Sequence, residues 1–322
     1  MVPQTGMRLL ELLIEAGLPE GVVNLITCSR QEVSRLLSHP DIRGISFVGS
    51  TSTGVKIYSE AAAAGKRVQC LTEAKNHALL LEDAPLEWSA QRIINSGFGC
   101  AGQRCMALPV VVVQESVADR FVQILKGMAE RLVVGAAYDP ATQLGPVINA
   151  AHKQSVINWI DKGVAEGASL ILDGRKCAPK GFEDGFFVGP TIFDHVAPGM
   201  PVGDQEIFGP VVCIKRVRDF EEGLGLMNAN PFANGSSIFT QSGHYAREFV
   251  RHTDGGMVGV NVGIPVPLAF FPFSGNKQSF FGDLHVLGRD GLRFYTRTKS
   301  VTTKWVSQRL RSEERRVGKE CR

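Results

Sequence analysis

Residues 102–107 read GQRCMA, which places Cys105 directly after Arg104 in a stretch led by small residues. A cationic neighbour favours the ionised form of a thiol, and the thiolate is the nucleophilic form. Residues 97–102 (GFGCAG) carry little side-chain bulk that could shield the sulfur. The pattern therefore indicates a nucleophilic cysteine. From these residues alone a buried, unreactive cysteine is the alternative, because cysteine is among the most buried residue types.

A second segment that could do chemistry is GSTSTG at residues 49–54, which includes Gly49, Ser50, Thr51 and Gly54. It lies between a predicted strand and a predicted helix. Backbone amides at the start of a helix can hold a phosphate, and glycine lets a ligand come close to the backbone. A capped helix start with no ligand is the alternative.

The GQRCMA segment resembles the nucleophile segment of the aldehyde dehydrogenase superfamily, in the form typical of its methylmalonate-semialdehyde dehydrogenase branch. Further segments resemble the family in the same order, as far as about residue 305. They are FVGSTSTG at 47–54, AKNH at 74–77, EIFGP at 206–210, PFSG at 272–275, SFFGDLH at 279–285 and FYT at 294–296.

The resemblance implies a role for each segment. Cys105 would attack an aldehyde carbonyl, and the adduct would pass hydride to NAD and leave a thioester on sulfur. Ser50 and the adjacent amides would contact the NAD pyrophosphate. Glu206 would accept the hydroxyls of the nicotinamide ribose, and Phe208 would pack nearby. Read without the resemblance, these last two residues belong to a turn before a strand.

The resemblance also indicates the substrate and the acyl acceptor. The guanidinium of Arg104 would bind a carboxylate at the far end of a semialdehyde, with a structural ion pair as the alternative. Most of the family has a glutamate that activates water at the position of Leu71, so its absence favours coenzyme A as acyl acceptor. Glu73 stands where the family has glycine, so we interpret it as a departure that crowds the site or marks a sequence error, with a role as substitute base as the alternative. We expect His77 to be a core or interface residue.

Alternating helical and strand patterns predict parallel strands joined by helices. The predicted helices are 7–16, 32–37, 53–64, 86–97, 117–132 and 151–166. The predicted strands are 22–26, 44–48, 67–71, 110–113, 169–172, 211–214 and 299–305. Residues 174–188 are expected to form a surface loop with a hairpin.

The expected fold is therefore α/β and aldehyde dehydrogenase-like. Residues 1–74 would form the C-terminal part of an NAD-binding, Rossmann-type layer whose front part the chain lacks, and residues 75–290 the catalytic thiol domain. Residues 291–307 would carry a strand that in the family joins a neighbouring subunit, so a homo-oligomer is expected. Residues 308–322 resemble a translated sequencing adapter and are expected to be non-native.

Composition sets further limits. Of 322 residues, 44% are hydrophobic and 21% charged, which is typical of a soluble globular protein of two domains. The net charge of +3 arises in the tail, whose mixed charges argue against a nucleic-acid-binding arm. Seven scattered cysteines predict neither disulfides nor a metal site. Without a membrane-length apolar run or a leader sequence, we expect no membrane contact and a cytoplasmic location, or the mitochondrial matrix in a eukaryote.

The sequence thus predicts NAD-dependent oxidation of methylmalonate or malonate semialdehyde to propionyl-CoA or acetyl-CoA with release of CO2. One alternative is a hydrolytic aldehyde dehydrogenase that uses Glu73. Another is a non-catalytic fragment that retains only subunit association. The resemblance places a cofactor-binding lysine and a second oxyanion donor in the front section, so the chain alone is expected neither to bind NAD tightly nor to turn over.

Overall fold

The computed structural model describes residues 3–305, apart from the side chain of Arg30. Its helices are α1 (Pro3–Glu15), α2 (Arg30–Ser38), α3 (Thr51–Ala63), α4 (Leu86–Gly97), α5 (Glu115–Ala129), α6 (Ala150–Ala165), α7 (Pro201–Asp204), α8 (Phe220–Ala229), α9 (Gly243–His252) and α10 (Gly288–Tyr295). Its strands are β1 (Gly44–Val48), β2 (Arg67–Leu71), β3 (His77–Leu80), β4 (Val110–Gln114), β5 (Ser169–Leu172), β6 (Thr191–Asp194), β7 (Val211–Val217), β8 (Phe232–Ala233), β9 (Gly235–Phe239), β10 (Met257–Val260), β11 (Asn276–Lys277) and β12 (Phe280–Phe281). None of the helices in this part of the chain is long and apolar enough to span a membrane.

A seven-stranded sheet in the order β10-β9-β3-β4-β7-β6-β5 forms the centre of the larger unit. All its strand pairs are parallel except β5 with β6. Val111 and Val113 of β4 face a cluster with α4 and α5, whereas Val110 and Val112 face a cluster with α6, α8 and α9. Helices cover both faces, which explains why β4 is an unbroken apolar run rather than an alternating one.

A smaller sheet holds β1, β2 and β12, with β1 and β2 parallel and β12 antiparallel to β2. Its apolar cluster is small, centred on Leu37, Ile57 and Cys70. The chain enters this sheet twice, because β12 comes from near the C-terminus and Arg67 donates hydrogen bonds to the backbone carbonyls of Arg293 and Thr296 at the end of α10. The limits at residues 74 and 290 remain our proposed domain boundaries.

Most predicted elements are confirmed. The strands at 44–48, 67–71 and 169–172 and the helix at 86–97 have the predicted bounds, and the others are shifted by one to four residues. The predicted strand at 22–26 is wrong: this segment is irregular and exposed, with Ile26 68% exposed, and it pairs with no other strand. The hairpin within 174–188 is also wrong. Those residues form turns, closed by a hydrogen bond from the Gly189 amide to the Gly174 carbonyl (2.9 Å).

The strand predicted at 299–305 is not formed within the chain. These residues are irregular, with Val301 76% and Trp305 87% exposed. An alternating pattern becomes a strand only when an edge of another strand offers hydrogen bonds, and none lies beside this segment. Residues 306–307 and the predicted tail at 308–322 lie outside the described residues.

Candidate active site

The GSTSTG, AKNH, GQRCMA and EIFGP segments lie at the strand ends where the two sheets face each other. Gly49 follows β1 and Glu73 follows β2, so both lie at the carboxyl ends of strands of the smaller sheet. Asn76, Cys105 and Glu206 precede β3, β4 and β7, at the amino ends of strands of the larger sheet. Residues 72–76, which link β2 to β3, connect the two sides.

The backbone before the candidate nucleophile makes a left-handed turn. Cys100 (φ 54°), Ala101 (φ 53°) and Gly102 (φ 68°) all have positive φ. A Cβ at Gly102 would lie only 2.0 Å from the carbonyl oxygen of Gly209, so the nucleophile loop lies directly against the EIFGP loop. Gly102 is therefore required both by the backbone conformation and by this close contact.

Two asparagines hold the backbone of Cys105. Asn76 Nδ2 donates to the carbonyls of Cys105 and Ala107, both at 2.8 Å, and Asn76 Oδ1 accepts from the Gly235 amide at 2.8 Å. Asn234 Nδ2 donates to the same Cys105 carbonyl at 3.0 Å. Asn234 was missed by sequence reasoning, because its contact with Cys105 depends on the pairing of β3 with β9 and has no local sequence pattern.

Cys105 is half-buried and lines a narrow cavity of about 20 Å³. Arg104, Asn76, Glu206 and Phe208 line it as well, so three of the segments quoted from the sequence converge on the sulfur. Leu71 and Glu73 do not line this cavity. Leu71 lies within β2, where it pairs with Val48 and Phe280.

The surroundings of Cys105 raise the pKa of its thiol above the ordinary value. Burial is the main cause, and the neighbouring Glu206 carboxylate adds to it. The backbone amides of Cys105 and Met106 and the charge of Arg104 act in the opposite direction but do not prevail. The expectation that Arg104 favours a thiolate is thus correct in sign, but burial and the nearby Glu206 carboxylate outweigh the guanidinium, and how close Glu206 lies to the sulfur depends on the tertiary structure.

Arg104 is half-buried, and its Nη2 donates to Cys100 Sγ at 3.1 Å. No carboxylate in residues 3–305 lies within 4.0 Å of its guanidinium, so the structural ion pair considered as an alternative is not formed there. A guanidinium that lines a cavity and has no anionic partner in the protein can bind an anionic group of a ligand.

Glu206 has a pKa raised to about 7, chiefly by burial and partly by the charge of Glu73. The Ala74 amide donates to its Oε1 at 3.1 Å and opposes this shift. Phe208, next but one, has φ 58° and a ring that is 38% exposed, and its carbonyl oxygen lies 2.7 Å from His152 Nε2.

The GSTSTG loop begins α3, with Ser50 at the N-cap but without a side-chain capping bond. The Ser50 hydroxyl donates to Thr53 Oγ1 at 2.9 Å, and the Thr51 amide donates to Glu73 Oε2 at 3.1 Å. Gly54 is buried inside the helix, where a Cβ would come within 2.4 Å of the Thr72 methyl group. The structure thus places Ser50 and Thr51 where a ligand could reach them, whereas Gly54 permits close packing.

His77 is a core residue, as predicted. It is 3% exposed, its Nδ1 lies 2.7 Å from the Lys75 carbonyl oxygen, and burial lowers its pKa to about 3. Lys75 is equally buried and donates to the Val202 carbonyl at 2.9 Å. Within the described part of the chain, no group of three or more His, Cys, Asp or Glu side chains is placed to hold a metal ion.

The fold agrees with comparisons to known proteins. Residues 1–301 match the family model "Aldehyde dehydrogenase family". The chain therefore belongs to the aldehyde dehydrogenase family and has its fold.

Its relatives include malonate-semialdehyde dehydrogenase 1 of Geobacillus thermodenitrificans, 49% identical over 94% of this chain and 62% of the relative. Malonate-semialdehyde dehydrogenase 2 of Oceanobacillus iheyensis is 50% identical with the same two coverages. The chain thus spans 62% of the length of these curated relatives.

Among solved structures, methylmalonate-semialdehyde dehydrogenase of Oceanimonas doudoroffii is 41% identical with a TM-score of 0.93, over 96% of this chain and 64% of that one. A Sinorhizobium meliloti protein solved in complex with NAD is 44% identical with a TM-score of 0.92, over 95% of this chain and 62% of that one.

Proposed function

We propose that the protein takes part in the NAD-dependent oxidation of malonate or methylmalonate semialdehyde to acetyl-CoA or propionyl-CoA with release of CO2. The observation that carries the proposal is the cavity where Cys105 lies beside Arg104, a cation with no carboxylate partner within residues 3–305. A semialdehyde of this class has an electrophilic carbonyl for the sulfur and a carboxylate for the guanidinium. The names of the relatives support the same substrate class.

Cys105 would act as the nucleophile. Its sulfur, once deprotonated, adds to the aldehyde carbon, and the carbonyl oxygen gains a negative charge that the Cys105 amide can stabilise. The carbon–hydrogen bond then breaks with its electron pair, which restores the carbonyl as a thioester on sulfur. Arg104 would hold the distal carboxylate through both steps.

The residues present fit a dinucleotide in type. The start of α3 offers backbone amides for phosphate, and Glu206 is a half-buried carboxylate that can accept hydroxyl groups. The chemistry that NAD supplies when bound is acceptance of the hydride from the aldehyde carbon. Ser50 and Thr51 would hold its phosphates and Glu206 its nicotinamide ribose, although the Thr51 amide is engaged by Glu73.

Coenzyme A is the proposed acyl acceptor. Its thiol would attack the thioester carbonyl, and the bond from that carbon to Cys105 Sγ would break. The carbon–carbon bond to the distal carboxylate breaks to release CO2, and a proton takes its place. The hydrolytic alternative is less favoured because the Glu73 carboxylate accepts from Thr51 and lies outside the Cys105 cavity. We also propose homo-oligomer formation through the segment that exposes Val301 and Trp305.

The acylation and release steps can be tested on this chain without turnover, which we expect it not to sustain alone. The chain is treated with p-nitrophenyl acetate, and the acetyl group on Cys105 is followed by peptide mass spectrometry. We expect acetylation that the Cys105→Ser variant lacks, and release that is much faster with coenzyme A than with water. Equal release rates would favour the hydrolytic alternative, and no acetylation of Cys105 would contradict the proposed nucleophile.

A further inference from the structure

Glu73 is held firmly between the two sheets. Its Oε2 accepts from the Thr51 amide at 3.1 Å, and its own amide donates to Thr51 Oγ1 at 3.4 Å. Its carbonyl accepts from the Ser279 hydroxyl at 2.7 Å. The side chain is half-buried, so the carboxylate is fixed at the start of α3.

Glu73 also adjoins the other predicted cofactor contact. The next residue, Ala74, donates its amide to Glu206 at 3.1 Å, and the charge of Glu73 contributes to the raised pKa of Glu206. Glu73 therefore lies between the two groups that would hold the phosphate and the nicotinamide ribose.

Resting on the function proposed above, we propose that Glu73 is an autoinhibitory residue, whose carboxylate occupies the Thr51 amide and competes with the pyrophosphate of the dinucleotide. Two consequences follow from the geometry. The Thr51 amide cannot donate to a phosphate until the carboxylate withdraws. A pyrophosphate that arrived beside it would also face the Glu73 carboxylate in a partly desolvated setting where like charges repel strongly.

Two substitutions separate charge from bulk. Glu73→Gly removes both, whereas Glu73→Gln removes the charge and retains a side-chain oxygen that can accept from the Thr51 amide. Glu60→Gln is the matched control, because it removes an exposed carboxylate near the far end of the same helix. Thermal unfolding without ligand checks that each variant folds, and Glu73→Gln keeps the test valid if Glu73→Gly is too unstable.

The measurement is the affinity for NAD by titration calorimetry, with adenosine as a probe that lacks phosphate. We expect Glu73→Gly to bind NAD at least about tenfold more tightly than the parent chain, Glu73→Gln to fall between them, and Glu60→Gln to match the parent. Adenosine binding should be the same in all four proteins.

Equal NAD affinity in the parent and both Glu73 variants would overturn the autoinhibitory role, and so would a gain that adenosine shares. The proposed function would survive either result if Cys105 is still acetylated and then released by coenzyme A. Failure of folded Glu73→Gly to bind NAD more tightly than the parent chain would overturn the autoinhibitory role, whereas the proposed function is tested separately by acetylation of Cys105 and its release by coenzyme A.

Discussion

The two sheets differ in how completely the chain covers them. Four consecutive valines of β4 in the larger sheet are fully buried, whereas β1 of the smaller sheet alternates between exposed and half-buried residues and ends with Val48 at 70% exposure. Parallel strands are normally covered on both faces. The larger sheet thus supports the Cys105 loop from a closed core, while β2 of the smaller sheet and the adjoining Thr72 make contacts with residues 278–294 from near the other end of the chain.

The largest effect should come from the contact that joins the nucleophile loop to the larger sheet. Gly102 and Gly65 share a φ of 68°, but a Cβ at Gly102 meets the Gly209 carbonyl at 2.0 Å and one at Gly65 meets nothing within 4 Å. Gly102→Ala should cost about 3 kcal/mol or more in free energy of unfolding, since overpacking adds to backbone strain. Gly65→Ala should cost only the strain, about 1 to 2 kcal/mol.

Urea unfolding measures both costs, and acetylation of Cys105 reports on the loop. Gly102→Ala should lose most of that acetylation, whereas Gly65→Ala should keep it. Similar losses of unfolding free energy and of Cys105 acetylation in the two variants would mean that the Gly209 loop shifts at little cost, so that backbone strain alone accounts for the effect.

A smaller effect compares one valine from each sheet. Val111 in β4 is fully buried, and Val68 in β2 is half-buried. Val111→Ala should reduce the free energy of unfolding by about 2 kcal/mol, because methyl groups leave a closed core and a cavity remains. Val68→Ala should cost less than about 1 kcal/mol. Equal costs in urea unfolding would contradict the contrast between the sheets.

Local patterns predicted three of the seven strands of the larger sheet, β4, β5 and β7. The valines of β4 and the helical periodicity of residues 86–97 can be interpreted without tertiary information. A strand that is buried on both faces is apolar throughout, and a helix that is buried on one face has apolar residues at helical spacing. In the smaller sheet, β1 and β2 were predicted with their observed bounds, but β12 was not predicted and residues 22–26 were wrongly predicted as a further strand. Residues 22–26 are apolar and resemble a buried strand, yet the structure gives them no neighbouring strand, and β12 is too short to show a pattern of its own.

The site was predictable where chemistry depends on neighbours in sequence. Arg104 and Cys105 are adjacent, and both line the same cavity. Three interactions of the site join residues that are far apart in the chain. They are the effect of the Glu206 charge on the pKa of Cys105, the hydrogen bond from Asn234 to the Cys105 carbonyl, and the hydrogen bond from the Thr51 amide to Glu73. No spacing rule connects such pairs, so the raised pKa of the thiol could not be foreseen.

Glu206 accepts a hydrogen bond from the Ala74 amide, in the segment that joins the two sheets. Its carboxyl group should give the free energy of unfolding a characteristic pH dependence. Burial raises the pKa of Glu206 from 4.5 to about 7. Below pH 4.5 the group is protonated in both states and has no effect. As pH rises to about 7 the unfolded state ionises first, so the folded state loses stability, and above that value the loss levels off. Glu206→Gln lacks this loss.

Its advantage in free energy of unfolding over the parent chain should therefore grow between pH 4.5 and 7 and then stay constant. Urea unfolding across that range measures it, with Glu130→Gln, an exposed carboxylate, as the control. A difference that does not vary with pH would show that Glu206 is not held in a desolvated place.

The smallest effect concerns the two charges beside Cys105. Among the influences on the thiol pKa, burial is largest, the Glu206 carboxylate follows, and the Arg104 guanidinium is the weakest. Glu206→Gln should therefore lower the pKa of Cys105, and Arg104→Leu should raise it by a smaller amount. The pH dependence of iodoacetamide labelling measures both shifts. Labelled peptides must be resolved by mass spectrometry, because Arg104 also donates to exposed Cys100, whose reactivity should change as well.

A shift in the Cys105 pKa from Arg104→Leu that equals or exceeds the shift from Glu206→Gln would contradict this order. Arg104 would then act mainly on the nucleophile and not, as proposed, on the substrate carboxylate.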